Sequence, residues 1–412
     1  MYASPERSTP LAAILLLTFL GSVSTGVLWS GLSFIAKHGF GYDERWNFAL
    51  YIVMAATYIG GAFASGPFMR RLQGRFSHRA ALVWVFATQT ALSLLPLVIE
   101  HHIIIWLVGC STSILAAMLW PIVESYLTAG RHGSEMRSAM GWWNITWTSA
   151  VALSMIGMAP FINEQHPEYA KYAIVALVPV SLLGLLMLRW FARDPAAHDE
   201  AMWKASITVE YPLLLRSVRV LLPLSYLLIG ALSPLMPYRL AEVGGEDLGA
   251  IWHTPATAVW MLARVVAVAF MWRLRFWHGR WGTLLIGGAG MAIGFAVIVG
   301  ANHLMPLLIG LALFGAAQGI VYYAALYYAM SVGGAAVDAG GTHEGLIGLG
   351  YTIGPAAALA GLELHRAGFM LSAAGGITTM VSGAMVLAAI PAAVPYFRAR
   401  KLRRERQPTP ER

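Results

Sequence analysis

One stretch concentrates side chains able to do chemistry. Residues 120–147, WPIVESYLTAGRHGSEMRSAMGWWNITW, place Glu124 ahead of a short charged loop, with Arg131 and Arg137 in or beside that loop. Asn144 and the tryptophans Trp142, Trp143 and Trp147 come after it. Apolar runs flank both sides, and a carboxylate at the edge of such a run needs a partner or a task. An ion pair from Glu124 to Arg131 or Arg137 that makes and breaks, a gate, suits this spacing first. A proton or ligand site suits it second. Pro121 lacks an N–H and frees the carbonyl of Ala117 one turn earlier, so the kink must face protein or water.

Other clusters repeat at helical spacing. Ser22, Thr25, Trp29 and Ser33 recur every three or four residues and share one face. Ser113, Ala117, Trp120 and Glu124 do the same. Trp143 pairs with Trp147, and Asn144 with Thr148, each at i,i+4. Anchoring at an interface explains Trp142 and Trp143 at least as well as ligand contact, whereas Asn144, Trp147 and Thr148 lie deeper. Gln318 with Tyr322, and Tyr323 with Tyr327, offer hydrogen bonds and flat faces to a neutral polar ligand. Ser233 and Tyr238 can join them. Arg264 stands inside an apolar run, where it can attract an anion, tie to a carbonyl or pair with a carboxylate.

Enzyme signatures are missing: the sequence holds no Gly-x-Ser-x-Gly elbow, no HExxH helix and no phosphate loop. His101 and His102 are adjacent and diverge by about 100° on a helix, which makes them poor co-ligands. The single cysteine, Cys110, lies within an apolar run, which leaves no disulfide framework and no zinc site. Neither a cofactor nor a metal is expected.

These residues must be positioned by apolar segments. Hydrophobic residues make up 58% of the 412 and charged residues only 12%, too little charge to cover a soluble surface. Twelve charge-poor segments are countable, at about 11–36, 46–69, 80–99, 102–128, 138–162, 172–191, 213–238, 248–272, 281–301, 303–334, 343–363 and 367–397. Most are long enough to cross ~30 Å of hydrocarbon as helices. The first reads as a retained helix rather than a cleaved signal, because its apolar run continues past any small-residue site. The class is therefore an all-α membrane protein with twelve transmembrane helices.

Charge sets the orientation. With the N-terminus cytoplasmic, 22 of the 28 Lys and Arg fall on the cytoplasmic side, five outside and one, Arg264, within a segment. Both termini are then cytoplasmic, and the net charge of +8 reflects the membrane rather than nucleic acid. The longest cytoplasmic loop falls at the midpoint. The chain divides into a six-helix half at 1–192, a linker at 193–211, a second six-helix half at 212–397 and a disordered basic tail at 398–412. Gly74-Arg75 matches Gly279-Arg280, and Gly109 matches Gly315, each on equivalent segments of the two halves.

This layout resembles the major facilitator superfamily over the whole chain. The loop ending Gly66-Pro-Phe-Met-Arg-Arg-Leu-Gln-Gly-Arg75 is similar to that family's signature loop, but carries no Asp, and Arg70 stands near its place. Arg273-Leu-Arg-Phe-Trp-His-Gly-Arg280 resembles the second copy, again without Asp. Gly348, Gly350, Gly354 and Pro355 in segment 11 match a pattern common in the family. The Gly-Pro motif of antiporters in segment 5 and the mid-segment 4 Arg of proton-coupled drug exporters are absent.

The resemblance implies a cavity between the halves, lined mainly by segments 1, 4, 7 and 10, with the halves rocking about it. Trp29, Ser33, Trp120, Asn144, Trp147, Thr148, Ser233, Arg264, Gln318, Tyr322, Tyr323 and Tyr327 are the expected substrate contacts. Glu124, Arg131 and Arg137 are expected to gate. So are Arg70 or Arg71 with Glu344, in a charge-swapped form of the family's loop contact. The expected activity is secondary active or facilitative transport of a small polar solute across an inner or plasma membrane, with protons as a candidate coupling ion. Its partners are that solute and the lipid bilayer. A membrane-embedded lipid-modifying enzyme and a non-transporting, transporter-like sensor are the alternatives.

Overall fold

The computed structural model describes residues 8–71, 75–131, 133–196, 211–245, 248–333 and 337–406. Apolar runs in hydrocarbon must satisfy their own backbone, and helices do so within each run. The described residues are helical wherever a segment was expected. The first segment is α1 (Leu11–Thr25), a π-turn at Gly26–Ser30 and α2 (Leu32–Phe40). Next come α3 (Glu44–Arg71), α4 (His78–Leu94), α5 (Ile103–Thr128) and α6 (Gly133–Gly157). The sixth segment comprises α7 (Tyr172–Val175) and α8 (Leu177–Met187). The second half holds α9 (Tyr211–Gly244), α10 (His253–Arg273), α11 (Trp281–Gly300), α12 (Leu304–Gly333), α13 (Val337–Arg366) and α14 (Ala373–Arg406).

Eleven spans among the described residues are long and apolar enough to cross a membrane. Helix α6 is outside that set although its 25 residues suffice in length. Its polar residues and tryptophans, Asn144 and Trp147 among them, lower its apolarity. Helix α14 continues to Arg406, so 398–406 is helical where a disordered tail was expected. Most of the expected linker lies outside the described residues.

Helix ends obey local chemistry. Gly41 ends α2 in the left-handed conformation at φ 67°, which costs glycine nothing. Ser77 caps α4 by accepting a hydrogen bond from the Ala80 N–H at 3.1 Å.

Contacts gather one end of the bundle. The Ala192 N–H donates to Thr9 Oγ1 (2.9 Å), the Arg79 N–H to the Arg193 carbonyl (3.1 Å) and the Tyr126 hydroxyl to the Ala192 carbonyl (2.9 Å). This is the basic end; Phe40, His102 and Arg366 mark the far end.

Packing repeats with an offset of six segments. Helix α3 packs on α5 and α10 on α12; α1 packs on α6 and α9 on α13. Across the middle, α3 packs on α13 and α6 on α10, which are the two images of one contact. Glycines allow the close crossings. A Cβ on Gly354 would stand 2.0 Å from the Leu227 carbonyl oxygen, and one on Gly315 1.9 Å from that of Trp260. The outer surface is apolar, with Leu182, Ile286, Ile293 and Leu387 exposed as hydrocarbon would require.

Candidate functional site

Polar side chains of the two halves meet first at the far end. Pro237 has no N–H, so the Ser233 carbonyl loses its helical donor. Ser33 Oγ donates to that carbonyl at 2.9 Å. Lys37 Nζ donates to the Pro237 carbonyl at 2.8 Å. Asn47 Nδ2 donates to the Tyr238 hydroxyl (2.6 Å), which donates to the Tyr42 carbonyl (2.7 Å). Arg366 faces Asp43 (3.7 Å) and Arg45 faces Glu363 (3.3 Å) at the rim.

Below this layer lies a cavity of about 90 Å³ walled by both halves. Its first wall is built by the π-turn. The Gly31 N–H bonds the Gly26 carbonyl, five residues back, at 2.9 Å. Gly26 and Gly31 let α6 approach, since a Cβ on either would strike Ser154 or Met158. The turn leaves the Trp29 carbonyl to accept from the Tyr51 hydroxyl at 2.6 Å, and Trp29 faces the cavity. Its ring meets Tyr351 (4.5 Å between centroids) and Tyr58 (5.4 Å).

The opposite wall comes from α6, α10 and α12. Asn144 Nδ2 donates to the Met140 carbonyl (2.8 Å), and its Oδ1 accepts from Trp147 Nε1 (3.1 Å). That pins the Trp147 ring. Arg264 lies 4.1 Å from the Trp147 ring centre and 4.5 Å from that of Tyr322. These cation–π contacts hold the guanidinium, and the Tyr226 hydroxyl stands beside it as a hydrogen-bond partner. Arg264 is only 3% exposed, and no carboxylate pairs with it among the described residues. Gln318 and Trp260 complete the wall.

Several buried polar atoms on residues that line this space have no hydrogen-bond partner among the described residues: Ser22 Oγ, Trp143 Nε1, Trp260 Nε1, Arg264 Nε and Nη2, and Gln318 Nε2. Buried polar groups are normally paired, so their convergence marks a place for a polar ligand or water. At the basic end of the cavity, Glu344 accepts a hydrogen bond from the Tyr58 hydroxyl. Glu124, on the turn after Trp120, is 6% exposed and its Oε1 is unpartnered.

Of the expected contacts, Trp29, Trp120, Trp147, Arg264, Gln318 and Tyr322 line the cavity. Ser33 does not: the π-turn inserts a residue, which rotates the helix beyond it by about 100° and sends Ser33 to the far-end layer with Ser233. Asn144 and Thr148 stand behind Trp143 and Trp147. Both hydrogen-bond within α6, Thr148 Oγ1 to the Asn144 carbonyl at 2.6 Å. Tyr323 and Tyr327 occupy the face of α12 next to that of Gln318 and Tyr322. Tyr323 packs on Trp277, and Tyr327 stacks on His278 at 4.5 Å.

The expected gates are built differently. Arg131 Nη1 donates to the Tyr126 and Leu127 carbonyls (3.0 and 2.7 Å), capping α5, and its Nε is 3.9 Å from Glu135 rather than bound to Glu124. Arg137 acts on the loop between α10 and α11. Burial first, then Arg137 and Arg275, push His278 down to about 4. Glu344 takes Tyr58 as its partner, and Arg70 and Arg71 lie about 18 Å further along α3, at 1.5 Å per residue. Glu344 thus belongs to the cavity and not to a pair with either arginine.

Sequence reasoning missed Tyr58, Tyr226, Trp260 and Tyr351. A signal existed for two of them: Trp260 is four residues before Arg264, and Tyr351 is two turns after Glu344.

No family model and no curated relative matches this sequence. Solved structures do match in shape. The nucleoside transporter NupG superposes with a TM-score of 0.64 at 12% identity, over 94% of this chain and 98% of that one. The human organic anion transporter MFSD10 (TETRAN) gives 0.61 at 14%, over 95% and 100%. A bacterial homologue of the human lysosomal transporter Spinster, inward-facing and unoccupied, gives 0.64 at 13%, over 100% of both. At such identities the likeness establishes the fold.

Proposed function

We propose that this chain, which has the fold of the major facilitator transporters, carries a small polar solute across a membrane by alternating access. The observation that carries this reading is the cavity walled by both halves and lined with unpartnered polar atoms. Helix α6 is the twelfth span, its Trp143 and Trp147 turned to the cavity and its Asn144 and Thr148 buried against protein rather than set against lipid. The halves are 1–192 and 212–397, joined by 193–211. The basic end faces the cytoplasm of an inner or plasma membrane, because 22 of 28 Lys and Arg gather there. The 398–412 tail adds to that charge.

Trp29, Trp120, Trp147, Arg264, Gln318 and Tyr322 contact the solute in this reading, and the far-end hydrogen bonds form the outer gate. Glu124 and Glu344 are the carboxyl groups placed to take up a proton if flux is proton-coupled. Uptake into proteoliposomes of radiolabelled sugars, nucleosides, amino acids and organic anions, with and without a pH gradient, tests the proposal. Flux of one class above protein-free vesicles supports it; no flux of any class removes it.

A further inference from the structure

The free groups of the cavity are dominated by donors. Arg264 offers Nε and Nη2, Gln318 its Nε2, and Trp260 and Trp143 their indole N–H groups. Arg264, Gln318 and Trp260 are 3%, 1% and 5% exposed, so their side chains are packed on nearly all sides. Glu344, the carboxylate lining the same space, already accepts from Tyr58.

Three of these donors are held together by helix packing. A Cβ on Gly315 would meet the Trp260 backbone, and one on Gly319 would meet the Arg264 side chain and carbonyl at 3.1 Å. Helices α10 and α12 therefore run in fixed register. Gln318, next to Gly319, stands level with the turn that joins Trp260 to Arg264. The free atoms of Arg264 also form a set. Nε and Nη2 make up one edge of the guanidinium, and two parallel N–H bonds from that edge match the two oxygens of a carboxylate. The wall formed by Trp29 and Tyr351 is aromatic and suits an apolar body.

We infer that the solute is a small organic carboxylate, seated edge-on against Arg264 Nε and Nη2, with Gln318 and Trp260 as further donors. The inference rests on the reading of this cavity as a transport site, and it replaces a neutral solute with an anionic one. An unpaired buried guanidinium is costly, and an anion is the ligand that offsets that cost most.

The test compares benzoate with benzamide, which keeps the ring and removes the charge. Thermal stabilisation of the purified full-length chain reads binding, and competition for uptake in proteoliposomes reads transport. Benzoate is expected to bind at least about tenfold more tightly than benzamide. Arg264→Gln is expected to erase the preference. Arg264→Lys, which keeps the charge and loses the paired edge, is expected to retain part of it. Equal binding of the two compounds by the wild-type chain overturns the inference whether or not the variants fold. No stabilisation by benzoate overturns it too, as does a preference that survives in folded Arg264→Gln. Benzoate binding that depends on Arg264 without flux of any solute refutes the transport reading alone. Flux of neutral solutes without benzoate binding refutes this inference alone.

Discussion

Ser33, Lys37, Asn47 and Tyr238 at the far end each hold a partner across or beside the junction of the halves, whereas Arg264, Gln318 and Trp260 in the cavity hold donors aimed at no protein atom. Both regions bury polar groups among apolar helices. At the far end, pairing turns them into adhesive, and a proline supplies one of the acceptors by freeing the Ser233 carbonyl. In the cavity, the donors stay unpaired among the described residues, which costs stability. The difference separates a contact that joins the halves from a cavity whose walls carry unpaired donors.

The comparison is exposed most strongly by Arg264→Met. Removing an unpaired buried charge is expected to leave the folded protein as stable or to stabilise it, by up to about 4 kcal/mol, while abolishing uptake. Thermal unfolding and proteoliposome flux on the same preparation check this. A clear loss of stability means that Arg264 is held by the fold as firmly as the far-end groups.

Tyr238→Phe acts at the other region. It removes the hydroxyl that accepts from Asn47 and donates to Tyr42, at about 1 kcal/mol for two bonds in a membrane setting. Cysteine accessibility at the far end is expected to rise roughly fivefold. Unchanged accessibility removes this layer from the gate.

Ser33→Ala removes one bond, worth about 0.6 kcal/mol, and opens the far end less. Adding Pro237→Ala returns an N–H to the orphaned Ser233 carbonyl and is expected to reverse the effect. A double variant more open than Ser33→Ala alone contradicts the role assigned to that carbonyl.

The smallest effect lies outside both regions, on His278. Its pKa falls from 6.5 unfolded to about 4 folded, through burial and then Arg137 and Arg275. The unfolded chain binds the extra proton first, so stability declines as pH falls from 6.5 toward 4 and flattens below. His278→Asn is expected to shallow that decline in thermal unfolding between pH 7 and 4. An unchanged slope shows that His278 does not contribute to it.

Helical periodicity found faces, but it could not rank neighbouring faces of one helix. On α12 it offered Gln318 with Tyr322 and Tyr323 with Tyr327 alike, and packing against α10 chose the first pair. On α6 it favoured Asn144, Trp147 and Thr148, but Asn144 and Thr148 hydrogen-bond to the α6 backbone while Trp143 lines the cavity beside Trp147. On the first segment it put Ser33 with Trp29, because an ideal helix has no π-turn. The expected gate pairs differ from the observed contacts for a related reason. Nearness in sequence suggested Glu124 with Arg131, yet the helix-end carbonyls of Tyr126 and Leu127 are closer acceptors.

The sequence by itself determined the class of this protein. Helices and closed barrels alone satisfy their backbone in hydrocarbon, and apolar runs this long without two-residue alternation must be helices, while the Lys and Arg bias marks one end as basic. It also marked Arg264 as the side chain needing a reason to be where it is. Only the tertiary structure decided what surrounds it. Whether a buried donor is paired depends on which helices abut and in what register. Here glycines at 315 and 319 set the register that leaves Arg264, Gln318 and Trp260 facing the same cavity.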